Sequence, residues 1–403
     1  MERIIVVGGG LGGVRAVESL RGRGYEGALT LVSAERHPPY DRPPLSKAVL
    51  AGESDDTTVD ADWDALRCDL LLGERATGLR LDARGGVVAS TAGDLPFDGL
   101  VIATGAVPIT LPGDGPQHVL RTIEDSRDLR SRLTEGARIV IVGAGWIGAE
   151  VATTAAKKGC AVTVVEAADT PLAGAIGPAV GALTAPWYAE AGVELRTGVK
   201  VAEVGGGGLL LAGGGRIEAD VVVVGIGVRP DLSWLDGSGL LLERGVVTDG
   251  SFRTYLGEEA PGSARPDVVA VGDCAAWWSA RYGRRLLVEH WDTALNAPDV
   301  AAATLLGQDE VYDAVPYFWS EQFGRMVQYA GNHSVSERMV DRGDPSGRKW
   351  TAAWLTGDRL DAVLTVDRPR DLVQARRVIA AGTPVDAAAL ADPDVPVRQA
   401  VRG

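Results

Sequence analysis

Short, unbroken apolar runs that stop abruptly at glycine set the hydrophobic pattern of this chain. Ile4-Ile5-Val6-Val7 runs into Gly8-Gly9-Gly10-Leu11-Gly12-Gly13. A β-branched run of that length predicts a strand buried on both faces of a parallel sheet. Val14, Val17 and Leu20 follow at helical spacing, so the predicted order is strand, tight turn, helix. The glycines at Gly8, Gly10 and Gly13 fit Gly-x-Gly-x-x-Gly in that context. Gly8 allows the turn, Gly10 lets the backbone approach a pyrophosphate, and Gly13 lets helix and strand pack closely, with the phosphate at the helix N-terminus. Glu35, just beyond the second strand Leu29 to Val32, stands where a carboxylate accepts hydrogen bonds from a ribose.

The same pattern returns in Arg138-Ile139-Val140-Ile141-Val142-Gly143-Ala144-Gly145-Trp146-Ile147-Gly148, followed by helical spacing at Val151, Ala152, Ala155 and Ala156. Glu166 ends the next strand, Val162 to Val165, as Glu35 ends its counterpart. Two complete strings in one chain predict two nucleotide sites. A carboxylate at Glu166 bonds an unmodified ribose and repels a 2′-phosphate, and Ala167, Ala168, Asp169 and Thr170 supply no Arg for that phosphate, so NAD is favoured over NADP. Leu100 to Ala103, running into Thr104-Gly105, closes the first nucleotide layer, and Val221 to Val224, running into Gly225, closes the second.

Between these strings lie other patterns. His37-Pro38-Pro39-Tyr40-Asp41-Arg42-Pro43-Pro44-Leu45-Ser46-Lys47 predicts a stiff loop, either a rigid connector or a support for chemistry at its charged end. A polar region, Gly52 to Asp64, and then runs at Leu70 to Leu72, Gly78 to Leu81 and Val87 to Ser90 predict a crossover followed by a small β-meander. Helices are predicted at Glu124 to Leu133, Gly181 to Ala191, Trp291 to Leu305 and Asp371 to Ala381. The glycine groups at Gly205 to Gly208 and Gly213 to Gly215 have no helix behind them and read as hairpin turns. Asp273, closing the strand Asp267 to Gly272, reads as a helix N-cap or a polyol ligand. After Pro316, strand-like runs at Val327 to Ala330, Glu337 to Val340, Trp350 to Trp354 and Leu360 to Val366 predict a module without a phosphate motif, and the last dozen residues read as irregular.

The expected fold class is therefore α/β, with two Rossmann-like dinucleotide-binding domains and a C-terminal α+β domain. The second glycine string opens the second nucleotide domain, and Pro316 opens the last. A chain of 403 residues exceeds a single typical core, in keeping with this division.

The formal net charge of −14 argues against a nucleic-acid binder. With no N-terminal signal pattern and no apolar run long enough to span a bilayer, the expectation is a cytoplasmic protein without a membrane partner. The three cysteines, Cys68, Cys160 and Cys274, form no CxxC or CxxxxC and no zinc cluster with the four histidines. Arg281, Arg284 and Arg285 make a small basic cluster that can steer an acidic partner despite the overall charge.

The two glycine strings, the Arg-Pro-Pro-Leu-Ser-Lys string, the Gly-Asp strand and a Trp-Ser-Glu-Gln turn occur in an order that resembles the flavin-dependent ferredoxin reductases of bacterial oxygenase systems, related in fold to glutathione reductase. The resemblance covers nearly the whole chain, and it implies that residues 1–112 and 238–315 form the first nucleotide domain, with 113–237 inserted as the second and 316–403 as the last. It implies that Gly8, Gly10, Gly13 and Glu35, with Thr104 and Gly105, hold FAD, and that Asp273 bonds its ribitol. Arg42, Pro43 and Lys47 would face the isoalloxazine, with Lys47 near N5, and Glu289 and Trp291 match a Glu-x-Trp string near the flavin. Trp319 matches the aromatic residue of the third domain. Gly143, Gly145, Gly148 and Glu166 would hold NADH, while Glu150 lines the nicotinamide pocket and pairs with Lys47. The implied reaction moves a hydride from NADH to the flavin and then single electrons to an iron–sulfur ferredoxin docking near Arg281, Arg284 and Arg285, on a monomer or homodimer. A rubredoxin reductase, an NADH oxidase and a slow-turnover signalling flavoprotein are the alternatives. Two positions depart from the family pattern: Thr170 stands where Arg is common, and Asn296-Ala297-Pro298 replaces Asn-Gln-Gly.

Overall fold

The computed structural model describes residues 1–257 and 263–402. The chain divides into two compact units. One comprises 1–41, 57–107 and 229–316; the other comprises 42–56, 108–228 and 317–403.

In the first unit a nine-stranded sheet is parallel at its centre. Arg3–Val7 lies between Ala28–Ser33 on one side and Gly99–Ile102 on the other, with Cys68–Leu72 and Ser263–Ala270 extending the two flanks. The chain leaves the first strand to one side and later returns to its other side, so the first glycine string sits at a topological switch point, where open parallel sheets bind ligands. Val6, Val101 and Val269, from three adjacent strands, share one core with Val17 and Leu20 of the helix Leu11–Gly22 and Ala301 of the helix Trp291–Leu305. The apolar runs are continuous because both sheet faces are covered. Cys68–Leu72 pairs parallel with Ala28–Ser33, as a strand reached by a crossover does; the meander consists of Ala76–Leu81, Gly86–Ser90 and Gly93–Phe97. A half-buried edge strand carries no strong alternation to show which sheet it joins.

In the second unit Arg138–Val142 lies between Ala161–Val165 and Val221–Val224, again parallel, with Glu194–Arg196 beyond. Val201–Gly205, Gly208–Leu211 and Arg216–Glu218 form an antiparallel sheet whose connections are the expected hairpin turns. The predicted helix over 181–191 is two pieces, Pro178–Thr184 and Pro186–Glu190, because Pro186 lacks the N–H that would continue the first. The C-terminal module is a five-stranded antiparallel sheet backed by the helix Pro369–Ala381. It shares a core with the preceding layer, where Ile176, Val180 and Trp187 pack with Val327, Trp350 and Leu364.

The Trp-Ser-Glu-Gln segment is not a turn but lies in the strand Tyr317–Gln322. The turn follows it, at Phe323 (φ +50°) and Gly324 (φ +72°), the two positive dihedrals of a type I′ hairpin. The last dozen residues are more ordered than their composition suggests, with a 3₁₀ turn at Val397–Gln399 and a bridge from Val385 to Val401. The buried Arg342 guanidinium holds them by donating to the carbonyls of Asp392 and Pro393 while pairing with Asp371.

Candidate functional site

Both glycine strings separate what the chain needs from what it leaves open. At Gly8 (φ +121°) a Cβ would sit 2.1 Å from the Ala103 carbonyl oxygen, and at Gly13 it would sit 1.9 Å from that of Gly8. Gly143 (φ +102°) and Gly148 repeat this, at 2.4 Å from Gly225 O and 2.0 Å from Gly143 O. The outer glycines are thus dictated by the packing of strand, turn and helix. The middle glycines are not: a Cβ on Gly10 meets nothing within 4 Å, and one on Gly145 meets only Gly225 O at 3.9 Å. Their backbones are ordinary and extended, with φ near −80°. Glycine at these two places leaves room in front of the turn for a group outside the chain.

The helices behind the turns point to the charge of that group. Leu11–Gly22 and Trp146–Lys157 each begin without a side-chain cap and without an acidic residue in the first turn. Their leading N–H groups face the open room, an arrangement that suits an anion. The donor set, the room and the helix polarity fit a dinucleotide diphosphate at each turn.

The acidic residues at the ends of the second strands are anchored. Glu166 Oε2 accepts from Ala144 N at 2.7 Å and Oε1 accepts from Ala168 N at 2.8 Å, tying strand end to glycine turn. Each carboxylate oxygen retains acceptor capacity for a ribose hydroxyl. Glu35 receives the Tyr40 hydroxyl. Thr104 Oγ1 donates to Asp231 O at 2.8 Å while Asp231 N donates to Gly105 O at 3.1 Å, fixing the turn after the third strand.

In the first unit Asp273 sits in a 3₁₀ turn, Gly272–Cys274, rather than capping a long helix. Trp291 Nε1 donates to Asp41 Oδ1 at 3.0 Å, binding the helix Trp291–Leu305 to the stiff proline loop. Burial pushes the neighbouring His290 imidazole down to about 4 against the pull of Asp273, so it is neutral at neutral pH. The helix accommodates Pro298 internally, with Asn296 Nδ2 bonded to Asp292 O at 2.7 Å. Glu289 lies in the short segment leading into this helix.

In the second unit the proline loop enters a 3₁₀ turn, Pro43–Ser46, and presents Lys47 to the helix Trp146–Lys157. Lys47 Nζ lies 2.8 Å from Glu150 Oε2 and 3.3 Å from Pro43 O. Arg42 donates to Arg121 O at 2.5 Å. Glu150 is only 4% exposed, yet it is well supplied with donors. Besides Lys47, Oε2 receives the Ser46 hydroxyl, and Oε1 receives the Ser320 hydroxyl at 2.6 Å and Glu321 N at 3.3 Å. Trp319, on the same strand, stacks on Tyr317 with centroids 6.0 Å apart. Thr170 Oγ1 is buried without a hydrogen-bond partner.

The predicted residues thus fall into two groups. Gly8, Gly10, Gly13, Glu35, Thr104, Gly105, Asp273, Glu289 and Trp291 belong to the first unit, and Arg42, Pro43, Lys47, Gly143, Gly145, Gly148, Glu150, Glu166 and Trp319 to the second. Sequence reasoning missed Ser46, Thr153, Thr154, Ser320 and Gln322. Thr154 Oγ1 donates to Ser46 O at 3.0 Å, and Thr153 Oγ1 accepts from Phe323 N at 2.9 Å. The signal was present: Glu150, Thr153 and Thr154 are polar positions at i, i+3 and i+4 on a helix that is otherwise largely apolar.

All three cysteines are free thiols. Burial pushes Cys68 and Cys274 up to about 11, which keeps them protonated and poor nucleophiles. Among the described residues no cluster of three or more His, Cys, Asp or Glu could hold a metal, and no helix is long and apolar enough to cross a membrane.

Comparison with known proteins agrees with this geometry. Residues 2–297 match the pyridine nucleotide-disulphide oxidoreductase family model, and 317–401 match the reductase C-terminal model. The chain is 37% identical to the anthranilate 1,2-dioxygenase system ferredoxin–NAD(+) reductase component of Burkholderia cepacia, over 98% of each chain. Its fold matches the crystal structure of Fdr9 with a TM-score of 0.92 and 50% identity, covering 98% of this chain and 99% of that one. It also matches the covalent putidaredoxin reductase–putidaredoxin complex with a TM-score of 0.91 and 32% identity, covering 99% and 97%. The relatives' family and NAD(+)-dependent names imply a flavin and a nicotinamide nucleotide. The chain is an oxidoreductase of the pyridine nucleotide-disulphide oxidoreductase family, carrying a reductase C-terminal module.

Proposed function

We propose that this protein oxidises NADH and delivers the electrons singly to an iron–sulfur ferredoxin serving an oxygenase, with FAD as its flavin. The observation that carries the reading is the Lys47–Glu150 pair in a chain whose cysteines are all free thiols. Family members that reduce disulfides need a cysteine pair beside the flavin; here the Arg42 to Lys47 string occupies that part of the sequence. The ferredoxin comes from the names of the relatives, one a ferredoxin–NAD(+) reductase component and one solved in covalent complex with putidaredoxin.

When bound, the flavin supplies the chemistry of accepting a hydride from NADH and releasing electrons one at a time. This chain's residues bind and orient. Gly8, Gly10 and Gly13 admit the FAD diphosphate to the uncapped helix, Glu35 takes a ribose, and Asp273 the ribitol. Thr104 and Gly105 would shape the turn beside it, and the resemblance implies that Glu289, Trp291, Trp319, Arg42 and Pro43 would hold the isoalloxazine. Gly143, Gly145, Gly148 and Glu166 hold NADH in the same way. As the resemblance implies, the Lys47 ammonium would lie near flavin N5, where a fixed positive charge would favour incoming electron density. Glu150 holds that ammonium and lines the nicotinamide pocket.

The partner would dock at the edge strand Arg284–Leu286. Arg285 lies over the ring of Trp278, 5.9 Å from its centroid, and Trp278 is 43% exposed. Arg and Trp together are typical anchors of protein interfaces. Arg281 contributes less charge, because it pairs with Asp313 at 2.6 Å.

The test is NADH-driven cytochrome c reduction by the purified protein with and without an oxygenase-type ferredoxin. Reduction that depends on ferredoxin supports the proposal. Rapid oxygen consumption without a partner would make it an NADH oxidase, and slow turnover with an NADH-dependent change in assembly would make it a signalling flavoprotein.

A further inference from the structure

Glu150 is tied down at both carboxylate oxygens from two separate parts of the chain. Lys47 and Ser46 take Oε2, while Ser320 and the Glu321 amide take Oε1. The terminal torsion of a glutamate is broad, so one ion pair alone leaves the carboxylate plane poorly defined. Fixing Oε1 defines the plane, and with it the direction from which Oε2 receives Lys47.

Ser320 is suited to this work because its hydroxyl has one proton and that proton is committed. Gln322 Nε2 donates to Ser320 Oγ at 3.1 Å, and Ser320 Oγ donates to Glu150 Oε1 at 2.6 Å. Ser320 and Gln322 are each 1% exposed and lie two residues apart on the strand Tyr317–Gln322, so the alternation of the strand turns both inward. The strand's end is itself pinned to the helix that bears Glu150, through the bond from Phe323 N to Thr153 Oγ1.

We propose that Ser320, oriented by Gln322, is a positioning residue that sets the carboxylate plane of Glu150 and, through it, the Lys47 amine. The C-terminal module thereby supplies part of the geometry of the Lys47–Glu150 pair. The consequence for hydride transfer rests on the function proposed above; the positioning itself does not.

The two are separable by experiment. Lys47 is one of five lysines in the chain, so its acylation rate relative to the exposed Lys349 can be followed by peptide mass spectrometry on the full protein without added NADH. Ser320→Ala is expected to raise that ratio about fivefold, the equivalent of one net hydrogen bond. Ser320→Thr, which keeps the hydroxyl, is expected to preserve it. Gln322→Met, which removes the orienting donor without touching Ser320, is expected to raise it in the same direction and guards against a folding artefact in the first variant. A wild-type ratio in both Ser320→Ala and Gln322→Met overturns the proposal. In the flavin-loaded protein Ser320→Ala is expected to slow flavin reduction about tenfold at saturating NADH with little change in NADH affinity. A raised acylation ratio with an unchanged reduction rate would uphold the positioning and instead remove Lys47 from the reaction.

Discussion

Lys47 and Glu150 stand 103 positions apart in the sequence and meet at 2.8 Å, the lysine partly exposed and the carboxylate buried. A buried carboxylate with a single cation would be a costly arrangement, but this one also receives two hydroxyls and an amide. The lysine can therefore be removed without stranding the charge. Lys47→Met is expected to slow flavin reduction by NADH on the order of tenfold or more while changing NADH affinity little. Stopped-flow reduction under anaerobic conditions measures both, and an unaltered hydride rate would exclude the role.

Glu166 braces the glycine turn through Ala144 N and Ala168 N, and in the proposed function the same carboxylate sets the nucleotide preference. Glu166→Gln keeps an acceptor for one of those amides and removes the charge that repels a 2′-phosphate. The ratio of kcat/KM for NADH over NADPH is expected to fall about tenfold or more, the scale of hydrogen bonds to charged groups. A ratio unchanged by the substitution would place selectivity elsewhere.

At the proposed docking edge, Arg284→Glu with Arg285→Glu is expected to raise the apparent KM for ferredoxin and to flatten its dependence on salt, leaving NADH-driven flavin reduction intact. The check is ferredoxin-dependent cytochrome c reduction across a salt series. A wild-type salt slope in the double variant would move the contact to another face.

His290 gives a pH signature to the first unit. Its folded value, pushed down to about 4 by burial, lies below the ordinary 6.5, so between these two values the unfolded chain binds more protons than the folded one. Stability is therefore expected to fall as pH drops from about 6.5 toward about 4, by on the order of 3 kcal/mol from this residue. Urea unfolding of the wild type and of His290→Gln at several pH values in this window isolates the effect. Parallel curves for the two proteins would refute it.

The parts of the fold that were legible in the sequence are those imposed by local sterics. Gly8, Gly13, Gly143 and Gly148 each occupy a place where a Cβ would strike the backbone, so the strings announce strand, turn and helix together. Trp291–Leu305 could be read to its ends because its apolar face is regular. What stayed hidden depends on distant partners. The Cys68–Leu72 strand looked like its meander neighbours because its own side chains are only half-buried, and the choice of sheet is made by Ala28–Ser33. The Trp319 to Gln322 segment looked like a turn because polar residues dominate it, yet Ser320 points inward to satisfy a carboxylate 170 positions away and Gln322 points inward to bond Ser320. A buried polar position resembles a surface one until its partner is known.

The proposed function requires that two nucleotides bind, a flavin at Gly8 to Gly13 and NADH at Gly143 to Gly148. Anaerobic titration of the purified protein with NADH and with NADPH, followed through the visible flavin absorbance, tests it most directly. The expected result is a yellow protein that one equivalent of NADH bleaches rapidly and NADPH bleaches far more slowly. A colourless protein, or one reduced equally well by both nucleotides, would contradict it.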